Sequence, residues 1–324
     1  MSTHPALPLA LALLATTAAV TATLNTTSLS LDRSTADGGS TLTATATPGT
    51  IVRFETSTDL ASWRPLANIA TPASGNASHT DTTNLDSRNY RAVEITTPTG
   101  ITGDPFPTNN GPLLVYPVNH ASFVATWNGV TIYNDPVGSA NLYRDFPKAD
   151  LILVGHRHGD HHSDSTIGSV STPETRIIAP ADVRDRMSTS IRNRTSTLAN
   201  NATLGIPTLG LTVHAVPAYN ANHPINRDNG YVLTAGDLNL YIAGDTGPVQ
   251  AMRDLENIDI AFLPMNVPFT MTVDEAASAA RDFAPDYVYP YHYRNQNNSL
   301  ANLPRFKSLV EAGTRTEVRL RDWY

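Results

Sequence analysis

An α/β catalytic region preceded by a small all-β module is the fold class this sequence predicts, on three observations. Short apolar runs such as Leu151-Ile152-Leu153-Val154 and Tyr287-Val288-Tyr289-Pro290-Tyr291 end in glycine or a polar residue, as buried strands do at a sheet rim. A helix with its own start signal stands between two such runs, which makes a strand–helix–strand unit. Ahead of them, residues 23–97 are rich in threonine, serine and alanine in short alternating stretches, the texture of a β-sandwich-like module.

Along the chain, residues 1–22 read as an export signal. A leucine/alanine stretch over 7–15 is too short to span a bilayer, and Val20-Thr21-Ala22 offers small residues suited to cleavage. The segment before it carries no lysine or arginine, so a cytoplasmic protein with an apolar leader is the alternative. The chain has no cysteine, which excludes a lipid anchor on that residue, disulfides and thiolate ligands. Export to the periplasm or beyond, without a stable membrane anchor, is the expectation.

In the module, Leu42-Thr43-Ala44-Thr45-Ala46, Ile51-Val52-Arg53-Phe54 and Tyr90-Arg91-Ala92-Val93 alternate at strand period, and Trp63 is read as core. The stretch from Phe54 to Leu66 resembles β-modules found on exported bacterial proteins. Residues 98–110 are proline-, glycine- and threonine-rich and read as a linker, leaving 111–324 as the catalytic domain. There Thr272-Val273-Asp274-Glu275 is a capping box opening a helix with Ala276, Ala280 and Phe283 on one side, stopped before Pro285. The arginine- and asparagine-rich segment 182–203 is read as a helix followed by a surface loop.

The chemistry is concentrated after Val154, in Gly155-His156-Arg157-His158-Gly159-Asp160-His161-His162. Imidazole nitrogens and carboxylate oxygens together suit borderline divalent metals, zinc most often. His156 and His158 are two apart and can share a side in extended chain, while Gly159 allows the bend that turns Asp160 and His161 toward a second cation. Asp245, in Gly244-Asp245-Thr246-Gly247, and His292, after the 287–291 strand, also stand at predicted strand ends. Open α/β sheets bind ligands at that edge.

His156-Arg157-His158-Gly159-Asp160-His161 resembles the HxHxDH signature of the metallo-β-lactamase superfamily. The likeness continues through Val216-Pro217-Ala218-Tyr219-Asn220, Tyr241-Ile242-Ala243-Gly244-Asp245, Ile258-Asp259-Ile260-Ala261-Phe262-Leu263-Pro264 and Tyr289-Pro290-Tyr291-His292-Tyr293. It is similar to the subgroup related to the L-ascorbate-6-phosphate lactonases and covers about two-thirds of the chain. The resemblance implies an αββα sandwich holding two divalent ions, zinc first with manganese or iron as alternatives. It implies His156 and His158 on the first ion, Asp160, His161 and His292 on the second, and Asp245 bridging.

Many members carry a further first-site histidine where this chain has Asn220, a poor zinc ligand, so His223 is the residue that could reach in instead. His120 stands where a histidine lies near the metal site in related hydrolases. His214, inside a strand pattern, is read as structural, and Asp135 as a turn residue. His162 and Asp164 are read as groups that orient ligand imidazoles, and Tyr293 as a donor to a substrate oxyanion, with a packed tyrosine as the alternative.

The expected reaction is hydrolysis of a small ester, lactone or phosphoester by a metal-bound hydroxide, with Asp160 orienting it. Pocket walls are expected from residues 219–229 and 267–271. Only 16% of residues are charged and the net charge is −7, so a small-molecule substrate is expected and a nucleic-acid backbone is not. β-Lactamase activity does not follow from the superfamily name, because function resides in the pocket. The rival class is a non-catalytic binding or scaffold protein on a degenerate metallohydrolase fold, for which Asn220 is the best argument.

Overall fold

The computed structural model describes residues 103–324 continuously and, before them, 11–14, 22–24, 27–33, 40–48, 50–58, 60, 63–81 and 89–95. Two compact units emerge: Met1–Gly100 with Asn128–Val130, and Ile101–Trp127 with Thr131–Tyr324.

The first unit carries two four-stranded sheets. One orders Leu11–Leu14, Asn89–Ile95, Ile51–Ser57 and Arg64–Ala70; the other Ala22–Leu24, Thr27–Arg33, Ser40–Thr45 and Asn76–Asp81. All pairings in both are antiparallel. Leu29, Leu42 and Ala77 of one sheet share a buried cluster with Val52, Phe54 and Tyr90 of the other, so the alternation reports sandwich packing. Trp63 is buried, with the Arg91 guanidinium 4.5 Å over its ring. Most of the expected leader lies outside the described residues. Leu11–Leu14 pairs with residues 89–92 as an edge strand, so its loss leaves the other three strands of that sheet paired.

The second unit carries two seven-stranded sheets. The first runs in space β7-β6-β5-β4-β3-β2-β1, with β1 Asp104–Phe106, β2 Leu113–Asn119, β3 Ser122–Trp127, β4 Val130–Asn134, β5 Ala149–Leu153, β6 Ser171–Ala179 and β7 Thr195–Thr197. The second runs β8 to β14 in order: Thr203–Ile206, Leu211–Ala218, Asp228–Ala235, Leu238–Ile242, Ile260–Pro264, Tyr287–Tyr291 and Glu317–Val318. Pairings β4 to β7 and β11 to β14 are parallel. Their carboxyl ends therefore share one edge in each sheet. Part of the expected linker is not linker: β1 hydrogen-bonds along β2 and belongs to the catalytic sheet.

Neighbouring residues of β3 show the layering. Phe123 stacks on Phe262 of β12 with ring centroids 4.3 Å apart, so this face meets the other sheet. Val124 points the opposite way, into a cluster with Ile167 and Val170 of α1 (Asp164–Val170), Val183 of α2 (Ala181–Arg184) and Ile191 of α3 (Thr189–Arg192). After α4 (Gln250–Arg253), α5 (Val273–Phe283) buries Ala276, Ala277, Ala279, Ala280 and Phe283. Phe283 meets Tyr241 of β11 edge-on at 5.8 Å. Helix, sheet, sheet, helix is the αββα sandwich. The capping box of α5 forms as the sequence predicts: Thr272 Oγ1 accepts from the Glu275 N–H, and Glu275 Oε2 accepts from the Thr272 N–H. A final helix, α6 (Leu303–Glu311), follows β13.

The 182–203 segment differs from expectation. Two one-turn helices and the edge strand β7 replace a helix and a loop. The Ser188 N–H donates to Asp164 Oδ2 at 2.6 Å rather than to a helical carbonyl, which stops one helix and lets Val183, Met187 and Ile191 lie on the sheet.

Candidate metal centre

The carboxyl ends of β4, β5, β11 and β13 and the turns after β2 and β9 bring the acids and imidazoles together. His156, His158, Asp160 and His161 follow β5; Asp135 follows β4; His223 lies between β9 and β10; Asp245 follows β11; His292 follows β13; His120 sits in the β2–β3 turn. Ligating atoms fall into three overlapping groups, each within 4.8 Å: His156/His158/His223, His156/His161/Asp245, and His120/Asp160/His161/His292.

Asp245 joins them. Its Oδ2 lies 3.6 Å from His156 Nε2 and 3.7 Å from His223 Nε2. Its Oδ1 lies 3.3 Å from His161 Nε2 and 3.5 Å from His292 Nε2. Asp160 Oδ2 adds a contact at 3.4 Å to His292 Nε2. The two oxygens of one buried carboxylate therefore face two different sets of imidazoles.

Side-chain burial tests whether cations fit here. His156 Nε2, His161 Nε2, His292 Nε2 and Asp245 Oδ1 are all buried and have no hydrogen-bond partner. A buried polar atom left unsatisfied costs about 1–3 kcal/mol, and four of them converge on one small volume. A nitrogen-and-oxygen donor set of this kind suits zinc, manganese or iron. Burial, and after it the neighbouring His161, hold His156 well below the usual imidazole range, leaving it neutral as a ligand must be. Burial opposes ionisation of Asp245, yet the surrounding His292, His161 and His156 carry it well below the ordinary carboxylate range.

The imidazoles are held from behind by carboxylates. His161 Nδ1 donates to Asp135 Oδ2 at 2.8 Å, and Asp135 Oδ1 accepts the Gly155 N–H at 2.8 Å. His223 Nδ1 donates to Asp228 Oδ2 at 2.8 Å, and Arg227 grips both oxygens of Asp228. Fixing one ring nitrogen by hydrogen bond leaves the other for a cation. Asp228 escapes the sequence reading; a charged pair at the start of a buried strand is the signal it offers. Asp135 was read as a turn residue and is one, with φ of 41°, but it also anchors His161.

Three expectations change and a fourth, on His214, holds. Asn220 is engaged in its own turn: its Oδ1 accepts the N–H groups of Asn222 and His223, and its Nδ2 donates to the Phe269 carbonyl at 3.0 Å. That turn brings His223 to the place beside His156 and His158, and it ties the 219–229 loop to the 267–271 segment. His162 and Asp164 pair with each other at 2.9 Å instead of orienting ligands. Tyr293 is buried as a packed tyrosine, and its hydroxyl donates to the Arg321 carbonyl at 3.2 Å. His214 is structural, bonded to Thr203 at 2.8 Å.

His120 is in the cluster. Its Nε2 lies 3.1 Å from Asp160 Oδ2, its Nδ1 2.9 Å from the Tyr324 hydroxyl, and its ring 3.7 Å from that of His292. Both His120 and His292 have left-handed backbones, with φ of 57° and 46°, and the His292 N–H donates to the His120 carbonyl. Close approach explains Gly244, just before Asp245: φ is 65°, and a Cβ there would stand 2.9 Å from the Asn229 carbonyl oxygen.

Fold and site together define a metal-dependent hydrolase of the metallo-β-lactamase superfamily. The family described as Beta-lactamase superfamily domain matches residues 115–292, more than half of the chain, and the chain belongs to it. Among curated relatives, a UPF0173 metal-dependent hydrolase of Pyrococcus horikoshii is 33% identical over 186 residues, which is 54% of this chain and 79% of the relative. One of Thermococcus kodakarensis is 32% identical over 214 residues, 62% of this chain and 92% of the relative. A crystal structure assigned to a metal-dependent hydrolase of Parabacteroides distasonis aligns with TM-score 0.62 at 38% identity, over 69% of this chain and 100% of that one. The metallo hydrolase Igni18 of Ignicoccus hospitalis, at 21% identity and TM-score 0.56 over 65% of this chain and 95% of its own, shares the fold.

Proposed function

We propose that this protein is an exported hydrolase that holds two divalent cations, zinc first, and cleaves a small ester, lactone or phosphoester. The observation that carries the reading is the division of Asp245, one oxygen toward His156 and His223 and the other toward His161 and His292. His156, His158 and His223 would hold one cation, Asp160, His161 and His292 the other, with Asp245 between. Such ions supply Lewis acidity toward a carbonyl or phosphoryl oxygen and make water a nucleophile near neutral pH.

The chain's own residues do the rest. Asp160 is the open member of the acidic pair, its side chain 47% accessible against 5% for Asp245. It therefore faces incoming substrate and is the group that orients the attacking water. Although burial pushes the other way, the hydrogen bond from His120 and the neighbouring His292 and His161 imidazoles hold its carboxyl well below the usual range, so it stays an acceptor. Loops 219–229 and 267–271, joined through Asn220, would wall the pocket. The scaffold alternative loses its main support, since His223 stands beside His156 and His158.

Metal analysis followed by an esterase, lactonase and phosphoesterase panel tests the proposal. Two equivalents of metal with turnover are expected, abolished by Asp160→Ala or His161→Ala; unchanged turnover in either variant refutes the site. Export predicts a mature N-terminus near Thr23 in secreted protein, and an intact Met1 on a cytoplasmic product refutes it.

A further inference from the structure

We propose that Tyr324 is a positioning residue that keeps His120 as a hydrogen-bond donor to Asp160 and so withholds it from the second cation. The inference rests on the reading of Asp160 as a ligand of that cation. Distance alone leaves His120 two roles, because its ring nitrogen lies within the same 4.8 Å group as Asp160, His161 and His292. Either Nε2 gives a lone pair to a cation, or it carries a proton and donates to Asp160 Oδ2 at 3.1 Å.

The hydrogen bonds around Tyr324 favour the second. The Tyr324 oxygen accepts the Arg294 backbone N–H at 3.2 Å, which leaves its own proton to be given to His120 Nδ1 at 2.9 Å. An Nδ1 that accepts has no hydrogen, which places the ring proton on Nε2. That nitrogen then donates to Asp160 and offers no lone pair. Several contacts fix the hydroxyl in place. The Arg294 guanidinium stacks 4.0 Å from the Tyr324 ring centre. Trp323 is buried, its carbonyl accepts the His120 N–H at 3.0 Å, and its N–H donates to the Tyr293 hydroxyl at 3.4 Å. Tyr293 thus serves the site at one remove, as the anchor of the segment that carries Tyr324.

Two readouts test this besides turnover. In the full-length protein labelled with 15N-histidine, NMR reads the His120 tautomer directly: hydrogen on Nε2 and none on Nδ1 is expected. The opposite tautomer in the wild-type protein overturns the proposal whatever the enzyme hydrolyses. Zinc titration against a chromophoric chelator is the second readout. Tyr324→Phe keeps the ring and its stacking but removes the hydroxyl, and should weaken the second zinc equivalent by about 10–100-fold, the usual effect of losing a partner behind a ligand, with the first equivalent unchanged. His120→Gln, whose amide can donate to Asp160 and accept from Tyr324, should retain the second equivalent within a few-fold; His120→Ala should lose it as Tyr324→Phe does. Wild-type affinity for the second equivalent in Tyr324→Phe overturns the role. Binding of only one zinc by the wild-type protein would instead overturn the two-cation reading, with the tautomer still deciding the part played by Tyr324.

Discussion

Asp135→Asn is the sharpest perturbation the structure offers, because it changes one atom behind the cation site. Asp135 is buried, and its two side-chain oxygens accept hydrogen bonds of 2.8 Å, from His161 Nδ1 and from the Gly155 N–H. An amide of the same shape keeps one acceptor only. If the carbonyl stays on Gly155, the NH2 group meets His161 Nδ1 donor to donor. His161 can relieve that clash by moving its proton to Nε2, the nitrogen 3.3 Å from Asp245 Oδ1, which removes the lone pair a cation needs. A charge-assisted hydrogen bond contributes about 1.5–3 kcal/mol, which at about 1.4 kcal/mol per decade is roughly 10–100-fold in affinity, matching the usual effect of removing a carboxylate behind a ligating histidine. Zinc competition against a chelator reads the affinity, and turnover at saturating zinc separates lost occupancy from lost chemistry. The expected result is a 10–100-fold weaker second equivalent, with turnover partly recovered at high zinc. Wild-type affinity in Asp135→Asn beside a loss in His161→Ala would refute the orienting role.

Other outcomes follow from the same geometry. His223→Ala should release the first equivalent while Asn220→Ala, which only loosens the turn, should cost about 1 kcal/mol of stability and retain the metal; the reverse pattern on metal analysis would restore Asn220 as the ligand. Zinc added to chelated protein should raise its melting temperature by about 5–10 °C at a hundredfold excess over Kd, since binding there adds about 2.7 kcal/mol; an unmoved melt would show no such site. Burial pushes the Asp228 carboxyl up, but hydrogen bonds from His223 and Arg227 outweigh it and carry it from 3.8 to about 2. Its contribution to metal-free stability is therefore complete above 3.8 and lost as pH falls toward about 2. Asp228→Asn should flatten stability over that window in denaturant melts, and an unchanged slope would contradict it. Phe123→Ala, which removes the ring stacked on Phe262, should cost about 3–5 kcal/mol and lower the melting temperature by roughly 10 °C or more by calorimetry. A melt near that of the wild type would show that this stack contributes little.

What was legible in the sequence was set by how local the signal is. His156, His158, Asp160 and His161 lie within six residues after one apolar run, so one strand and one turn suffice to read them. Asp245 and His292 could be placed because each ends a strand, even though the partners are distant. The α5 capping box was readable for the same reason: all its hydrogen bonds fall within four residues. Asn220 marked a family position without a good ligand, and the structure shows how His223 reaches in: an asparagine-capped turn returns the backbone and presents the residue three further on. Asp228, Asp135 and Tyr324 act across 5, 26 and 204 residues respectively, and the longer contacts leave no periodic trace. Residues 104–106 were read as linker from composition, which says nothing about pairing with the strand that follows.

The contacts that sequence could not show are those that tie the two sheets together at the site. His120 leaves β2 of one sheet and His292 leaves β13 of the other, and the His292 N–H donates to the His120 carbonyl at 3.1 Å. Both residues, with Asp135, sit at positive φ without being glycine. Such conformations cost about 1–3 kcal/mol each and persist only where the surroundings over-determine them. Helix and strand propensity cannot supply that, since all three lie beyond strand ends. Hydrogen bonds to Trp323, Asp160 and Tyr324 supply part of it for His120, and the paired backbones supply part for His292. The unpartnered Nε2 atoms of His156, His161 and His292 add a second unrelieved cost in the same place. A cation on those nitrogens would relieve that unsatisfied polarity, which is the economical account of why imidazoles and a carboxylate are buried together at these strand ends.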